Sequence, residues 1–318
     1  MTNRTTPDTE TLLLAGLDGS NPLAFLAALG TLRTLHLAWP EREVRMAWRA
    51  SGGAWRPFLV AEGSICRKSI VAAIVDHLEL GSYEPSLHPH LTLGKNLSVP
   101  PADFRRHALR SAASATRSER RWADFVASYG CETLRHEKLD RIAYTEFCFI
   151  SGSGHQHYLA TMQKLLVSTS GEQVDAALFE PRQYRDERLS MRWDPADARE
   201  HAYQWTAPGD ETTLTVWGAN LLAAEGSSLF PFVPSVAGCP TTGFRRRRRD
   251  VAFIWPIWTS TIGVDVVKSL LVIPELAKTN EDSSDLYRRG VVAVFRASKI
   301  KIGEGANFKW SFSPARVL

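Results

Sequence analysis

Cysteine is sparse in these 318 residues: Cys66, Cys131, Cys148 and Cys239 stand far apart, with no close pair for zinc and no disulfide-framework spacing. A reduced, cytoplasmic setting is the simplest expectation. No apolar run approaches the roughly 20 residues of a membrane span. The opening residues, Met-Thr-Asn-Arg-Thr-Thr-Pro-Asp-Thr-Glu, read as too polar and acidic for a signal peptide. Catalytic motifs are scarce too. There is no Gly-x-Ser-x-Gly elbow, no helicase motif and no adjacent His-Asp pair, since Asp76-His77 runs in reverse order. Neither charge sign dominates: 38 Lys+Arg against 34 Asp+Glu leave +4, too little to require a nucleic-acid partner. Internal repeats and low-complexity tracts are absent, and no linker marks a firm boundary.

What is present describes an ordinary globular chain, 44% apolar and 23% charged, long enough for one large domain or two small ones. Helical and strand patterns alternate without a regular βαβ rhythm. The expected fold class is therefore α+β: an irregular mixed fold of antiparallel strands, hairpins and packed helices. Residues 1–11 read as a flexible tail and 12–318 as one α+β unit, with 140–150 the place where two lobes would divide. A short strand at 12–17 precedes Asn21, a good N-cap, and Pro22 at the first helical position. That helix runs to about Leu37, and its Gly30 points to a close neighbour. Strands at 44–49 and 54–60 flank Gly52-Gly53, a hairpin signal. Helices are expected at about 64–80, 102–115, 117–129, 156–168, 171–179 and 263–276, and strands at 291–297 and 299–303.

The most informative stretch spans residues 147–159. An apolar, aromatic run (Phe147, Cys148, Phe149, Ile150) reads as a buried strand and breaks into Ser151-Gly152-Ser153-Gly154 before a helix. Backbone N–H groups at such a helix N-terminus could hold a phosphate, or the turn could be a plain connector. It is no nucleotide fingerprint: no Gly-Lys-Ser/Thr ends it, and His157 stands where a third glycine belongs. Gly94-Lys95-Asn96 lies in a long, proline-rich loop at 81–101. It offers flexible backbone, an ammonium and an amide able to read a base edge, or it is a solvated turn.

Basic residues cluster. Arg105, Arg106, Arg110, Arg117, Arg120 and Arg121 read as a solvated helical face, with a nucleic-acid face the alternative. Arg182, Arg185 and Arg188 fall in an irregular stretch. Arg245, Arg246, Arg247, Arg248 and Arg249 form the densest charge, expected at a loop or hairpin tip before a strand at 251–255. Five adjacent cations repel one another and gain most from an anion, with a solvated tip the alternative. Lys299 and Lys301 alternate with Ile300 and Ile302, which sets both lysines on one strand face. His88/His90 and His155/His157 have the look of metal-ligand pairs but lack accompanying carboxylates or thiols. Neither a metal nor another cofactor is expected. Core packing is the default for the tryptophans, with base stacking open to one or two.

Several segments, in order, resemble a CRISPR-associated family. They are Gly16-Leu17-Asp18-Gly19-Ser20-Asn21-Pro22-Leu23 with the helix to Arg33; Ser151-Gly152-Ser153-Gly154-His155-Gln156; Arg192-Trp193-Asp194-Pro195; Gly218-Ala219-Asn220; Thr241-Thr242-Gly243-Phe244; and Trp255-Pro256-Ile257-Trp258. The family resembled is the large subunit of type I-G (formerly I-U) Cascade surveillance complexes, some members of which are described as extensions of Cas3. The resemblance implies a non-enzymatic subunit. It would recognise the protospacer-adjacent motif in duplex DNA, aid strand separation and recruit the Cas3 nuclease-helicase, while a guide RNA–protein complex reads the target. On that footing Gly152, Ser153, Gly154, His155 and Gln156, with Lys95 and Asn96 as a second finger, are candidates for meeting the motif duplex. Arg182, Arg185, Arg245 to Arg249, Lys299 and Lys301 are candidates for holding phosphates. The alternatives are a metal-dependent nuclease built on His155 and His157, and a scaffold that only bridges the nuclease-helicase to the complex.

Overall fold

The computed structural model describes residues 9–80, 93–113, 115, 120–136, 139–150, 156–196, 214–234, 239–277, 284–304 and 307–318. The first half holds β1 (Thr9–Leu13), α1 (Pro22–Ala38), β2 (Val44–Ser51), β3 (Ala54–Glu62), α2 (Arg67–Leu80), α3 (Pro101–Ala113), α4 (Arg121–Tyr129), β4 (Gly130–Arg135) and β5 (Ile142–Tyr144). Next come α5 (Tyr158–Ser168), α6 (Gly171–Phe179), β6 (Asp186–Glu187), β7 (Leu214–Thr215) and α7 (Trp217–Ser227). The chain ends with β8 (Phe244–Arg247), β9 (Asp250–Trp258), β10 (Ile262–Gly263), α8 (Val264–Leu271), α9 (Ser284–Arg288), β11 (Val291–Glu304), β12 (Asn307–Phe312) and β13 (Arg316–Val317). This is the expected α+β class, built from small antiparallel sheets.

The central element is α1. Asn21 Oδ1 accepts the Ala24 N–H at 3.1 Å and Pro22 occupies the first turn, as the sequence predicts. Fifteen of its 17 residues are buried, so it is a core helix and not a surface one. α7 crosses it at backbone contact. A Cβ on Gly30 would stand 1.8 Å from the Leu222 carbonyl oxygen, and one on Gly226 2.0 Å from that of Leu26. Only glycine permits that approach.

Two sheets flank this pair. The first has order β1-β3-β2-β10, its β2–β3 hairpin closed by Gly52 and Gly53 at φ 58° and 75°. The second has order β12-β11-β9-β8, with β13 also on β11. Tryptophans tie the sheets to each other, to α1 and to the turn before it. Phe25 stacks on Trp48, Trp255 Nε1 donates to Gly19 O at 2.8 Å, and Trp258 Nε1 donates to Met46 O at 2.9 Å. Buried apolar side chains from Leu14 to Phe312 form one cluster.

Several expectations are corrected. The strand expected at 12–17 lies at Thr9–Leu13, so three residues expected in the tail pair with β3. Residues 147–150 are buried but irregular: the Phe147 carbonyl accepts from Phe149 N and Trp193 Nε1, both at 2.9 Å, which leaves it no ladder partner. The two strands expected at 291–303 are one, because β11 hands its pairing from β9 to β12 between Ser298 and Lys299. The helix expected at 263–276 ends at Leu271, with a 3₁₀ turn at Pro274–Ala277.

Arg121 is no part of a solvated face. Its side chain is 6% exposed and forks onto Glu225, itself 3% exposed, while Arg33 on α1 bonds the same carboxylate at 3.0 Å. Arg33 also reaches Asp124 at 3.1 Å. Burial alone would raise the Glu225 carboxyl, but the charges of Arg121 and Arg33 outweigh it and hold the group below its ordinary value.

Candidate nucleic-acid interface

Gly152, Ser153, Gly154 and His155 lie outside the described residues. The far end of their loop is tied down. Gln156 Oε1 accepts from Arg192 Nη2 at 2.8 Å, and Arg192 is a buried residue at φ 62°. Lys95 and Asn96, remote from Tyr158 in the chain, meet this same end. Asn96 Oδ1 accepts the Tyr158 N–H at 2.8 Å, and the Lys95 carbonyl accepts from Leu159 N at 3.0 Å and Ala160 N at 3.3 Å. The second finger thus braces the start of α5, directly after Gln156. The cost to the phosphate reading is direct: the first N–H groups of α5 already have acceptors, so its N-terminus is not an open anion site. With its oxygen on Tyr158, the Asn96 amide presents Nδ2 to His157 Nδ1 at 3.0 Å, which occupies that ring nitrogen's lone pair. The Lys95 side chain remains exposed.

Glu146, just before the buried aromatic run, gathers two of the sequence candidates. Lys299 Nζ lies 3.0 Å from its Oε2 and Arg246 Nη2 2.7 Å from its Oε1. Lys299 also sits over the rings of Phe149 and Trp310, and Lys301 Nζ lies 4.2 Å from the Phe308 ring centroid. Both lysines share one face, as alternation requires. Lys299 is only 12% exposed and already neutralised, so its charge serves the interior. The same holds for Arg182, whose guanidinium donates to Asp194 at 3.0 Å. Arg185 is exposed and, with Arg182, lines a cleft of about 940 Å³ between α2 and α6.

The arginine run divides between strand and turn. Arg245, Arg246 and Arg247 belong to β8, and Arg247 pairs with Asp250 across a two-residue turn of Arg248 and Arg249. Arg248 sits at φ 55°, where glycine or asparagine is the inexpensive choice. Arg247, Arg248 and Arg249 are exposed. Among the described residues no carboxylate forms an ion pair with any of the three.

Sequence reasoning missed Arg296 and Arg316. β13 lays Arg316 directly opposite Arg296. On the same sheet face, Arg245 stands opposite Ala252, which in turn stands opposite Ser298. Only the strand register reveals this, since 316 and 245 are remote in sequence.

Neither a family model, nor a curated protein, nor a solved structure matches the chain.

Burial pushes the Cys148 thiol up to about 12 and the Cys239 thiol up to about 11, so neither is a ready nucleophile near neutral pH. Among the described residues no cluster of three His, Cys, Asp or Glu could hold a metal ion. Nor is any described helix long and apolar enough to cross a membrane.

The motifs quoted for the resemblance also meet one another. Asn21 Nδ2 donates to Asp194 Oδ1 at 3.0 Å, Arg192 holds Gln156, and Asn220 Oδ1 accepts from Met191 N at 2.8 Å. In this chain these residues join α1, α5, α7 and the segment around Trp193, which is a structural duty.

Proposed function

We propose that this protein is a non-enzymatic, nucleic-acid-binding large subunit of a type I-G Cascade complex. In that role it recognises a short motif beside the target duplex, aids strand separation and presents the complex to the nuclease-helicase. The observation that supports this reading best is the β8–β9 turn: three exposed arginines without a carboxylate partner among the described residues, held on a two-residue hairpin. Such a tip gains most by meeting phosphates. The bonds that tie Lys95 and Asn96 to residues 157–160 brace the end from which residues 151–155 would meet the motif. Base pairing with the guide reads the remaining sequence, so few base-edge contacts are required of the protein.

The test is binding of the reconstituted guide complex, with and without this chain, to duplexes randomised beside the target. A variant carrying Gly152→Ala, Gly154→Ala and Gln156→Ala and a second carrying Arg247→Ala, Arg248→Ala and Arg249→Ala accompany the intact protein. The intact chain should confer a short-motif preference. The loop variant should lose the preference, and the arginine variant should lose affinity for all sequences alike. If the complex binds equally well and without preference whether or not the chain is present, the reading is wrong.

A further inference from the structure

The second sheet carries a cavity of about 310 Å³ lined by Asp250, Arg296, Ser298, Ser313, Pro314 and Arg316. Its composition is unusual for a ligand pocket, because no large apolar side chain lines it. Arg296 and Arg316 face each other across antiparallel strands, where directly opposed like charges destabilise the pair. Asp250 bonds Arg296. Arg316 is exposed and has no ion-pair partner among the described residues.

Register extends this charge over the neighbouring strands. Arg245 is opposite Ala252, Ala252 is opposite Ser298, and Arg247 is opposite Asp250. Alternation therefore puts Arg245, Arg247, Arg296 and Arg316 on one face with a single aspartate. Ser313 is already engaged, accepting from Ser298 N at 3.0 Å and donating to Pro314 O at 3.1 Å. The Ser298 hydroxyl has no such engagement among the described residues and borders the cavity.

We propose that this cavity is a phosphodiester site, which seats one backbone phosphate of a nucleic-acid strand running along the face toward the β8–β9 turn. Arg316 and Arg296 donate to the phosphate oxygens, and the Ser298 hydroxyl supplies a third donor. Asp250 is the internal counter-ion that the phosphate replaces at Arg296. Two guanidiniums across one strand pair suit a phosphate, which accepts planar, forked donors. The inference rests on the nucleic-acid reading above and adds a second contact to it, on different residues from the turn.

The experiment is fluorescence anisotropy of the full chain with a labelled 20-nucleotide single strand and the matching duplex, across a salt series. The variants are Arg296→Ala with Arg316→Ala, Arg316→Lys, and Asp250→Asn, each checked by circular dichroism and urea midpoint. The double variant should weaken binding about tenfold, independently of sequence, and flatten the plot of log K against log salt by about 0.7–0.9, the share of the one phosphate seated. Arg316→Lys should keep most of the slope, and Asp250→Asn should tighten binding. A folded double variant with an unchanged slope, or a looser Asp250→Asn protein, overturns the proposal. So does a result in which inorganic phosphate raises the melting temperature of the intact chain but not of the double variant, while DNA binding is indifferent to both arginines; the site would then serve a free phosphate. A chain that confers motif preference on the complex despite an unchanged slope sinks the cavity alone. A reduced slope without any motif preference sinks the complex reading alone.

Discussion

Removing Glu225 tests how far the centre of the molecule is shut from water. Its Oε2 accepts from Arg33 Nη1 at 3.0 Å and Arg121 Nε at 3.2 Å, and its Oε1 accepts from Arg121 Nη2 at 2.5 Å. The side chains of Arg33, Arg121 and Glu225 are 2%, 6% and 3% exposed. Glu225→Ala leaves Arg33 with Asp124, a partner at 3.1 Å, and leaves Arg121 with no carboxylate. Breaking a buried pair by removing one partner costs about 3–5 kcal/mol, most of it the burden of an unpaired buried charge. That is a large share of the ~5–15 kcal/mol that holds a typical domain together. Replacing the group with Arg33→Met, Arg121→Met and Glu225→Leu removes all three charges at once and should cost much less than the single change. Urea unfolding followed by tryptophan fluorescence reads both, with the slope checked for constancy. A loss below about 1 kcal/mol for Glu225→Ala would refute the reasoning, since it would mean that water reaches the guanidiniums.

Gly30→Ala should destabilise by about 3 kcal/mol or more, at the upper end of overpacking costs, because the new methyl would stand 1.8 Å from the Leu222 oxygen. A melting temperature unchanged by that substitution would show that α1 and α7 can separate freely. Stability should also fall as pH drops from about 6.5 to about 4, since burial, aided by nearby arginines, pushes His77 and His107 down to about 4. The unfolded chain takes up these protons first, so the sign is loss on acidification; urea midpoints across that window should flatten in His77→Gln and His107→Gln. Below the ordinary carboxylate range the depressed Glu225 adds a further loss, because its stabilisation is present above the unfolded pKa and vanishes as the folded group protonates.

Local signals were legible where a single residue has a single physical use. Asn21 and Pro22 open α1, Gly52 and Gly53 close a hairpin at positive φ, and Gly30 marks a close crossing. What stayed hidden is pairing over distance. Nothing in residues 94–96 states that they supply the acceptors for α5, because the partners are tens of residues away and the side chains involved suit a solvated turn equally well. Arg121 reads as a surface cation until α7 brings Glu225 beside it, in a helix whose other residues carry no charge. At the candidate interface, charge density located the run at 245–249, yet only the register of β8, β9, β11 and β13 separates the arginines that share a face from Arg246, which turns to the other face and Glu146. The aromatic run at 147–150 misleads for a related reason: a buried strand and a buried irregular segment have the same apolar composition, and the difference lies in where the backbone acceptors find donors.

Arg248 offers a way to separate fold from binding within one residue. A left-handed conformation costs a non-glycine residue roughly 1–2 kcal/mol, and glycine adopts it without that penalty. At φ 55° on an exposed turn, Arg248→Gly should therefore leave stability unchanged or raise it by up to about 1 kcal/mol. If the turn meets phosphates, the same substitution must weaken nucleic-acid binding and lower the salt slope by about 0.7–0.9, the share of one contact. Arg246→Ala reverses the pattern. Its guanidinium is bonded to Glu146 at 2.7 Å, so its loss falls on the β8 anchor and much less on binding. Parallel urea and anisotropy measurements on the two variants decide the matter. An Arg248→Gly protein that binds DNA with the slope of the intact chain would mean that the strained tip serves the hairpin alone, and the arginines would then have to be explained by solubility and not by recognition.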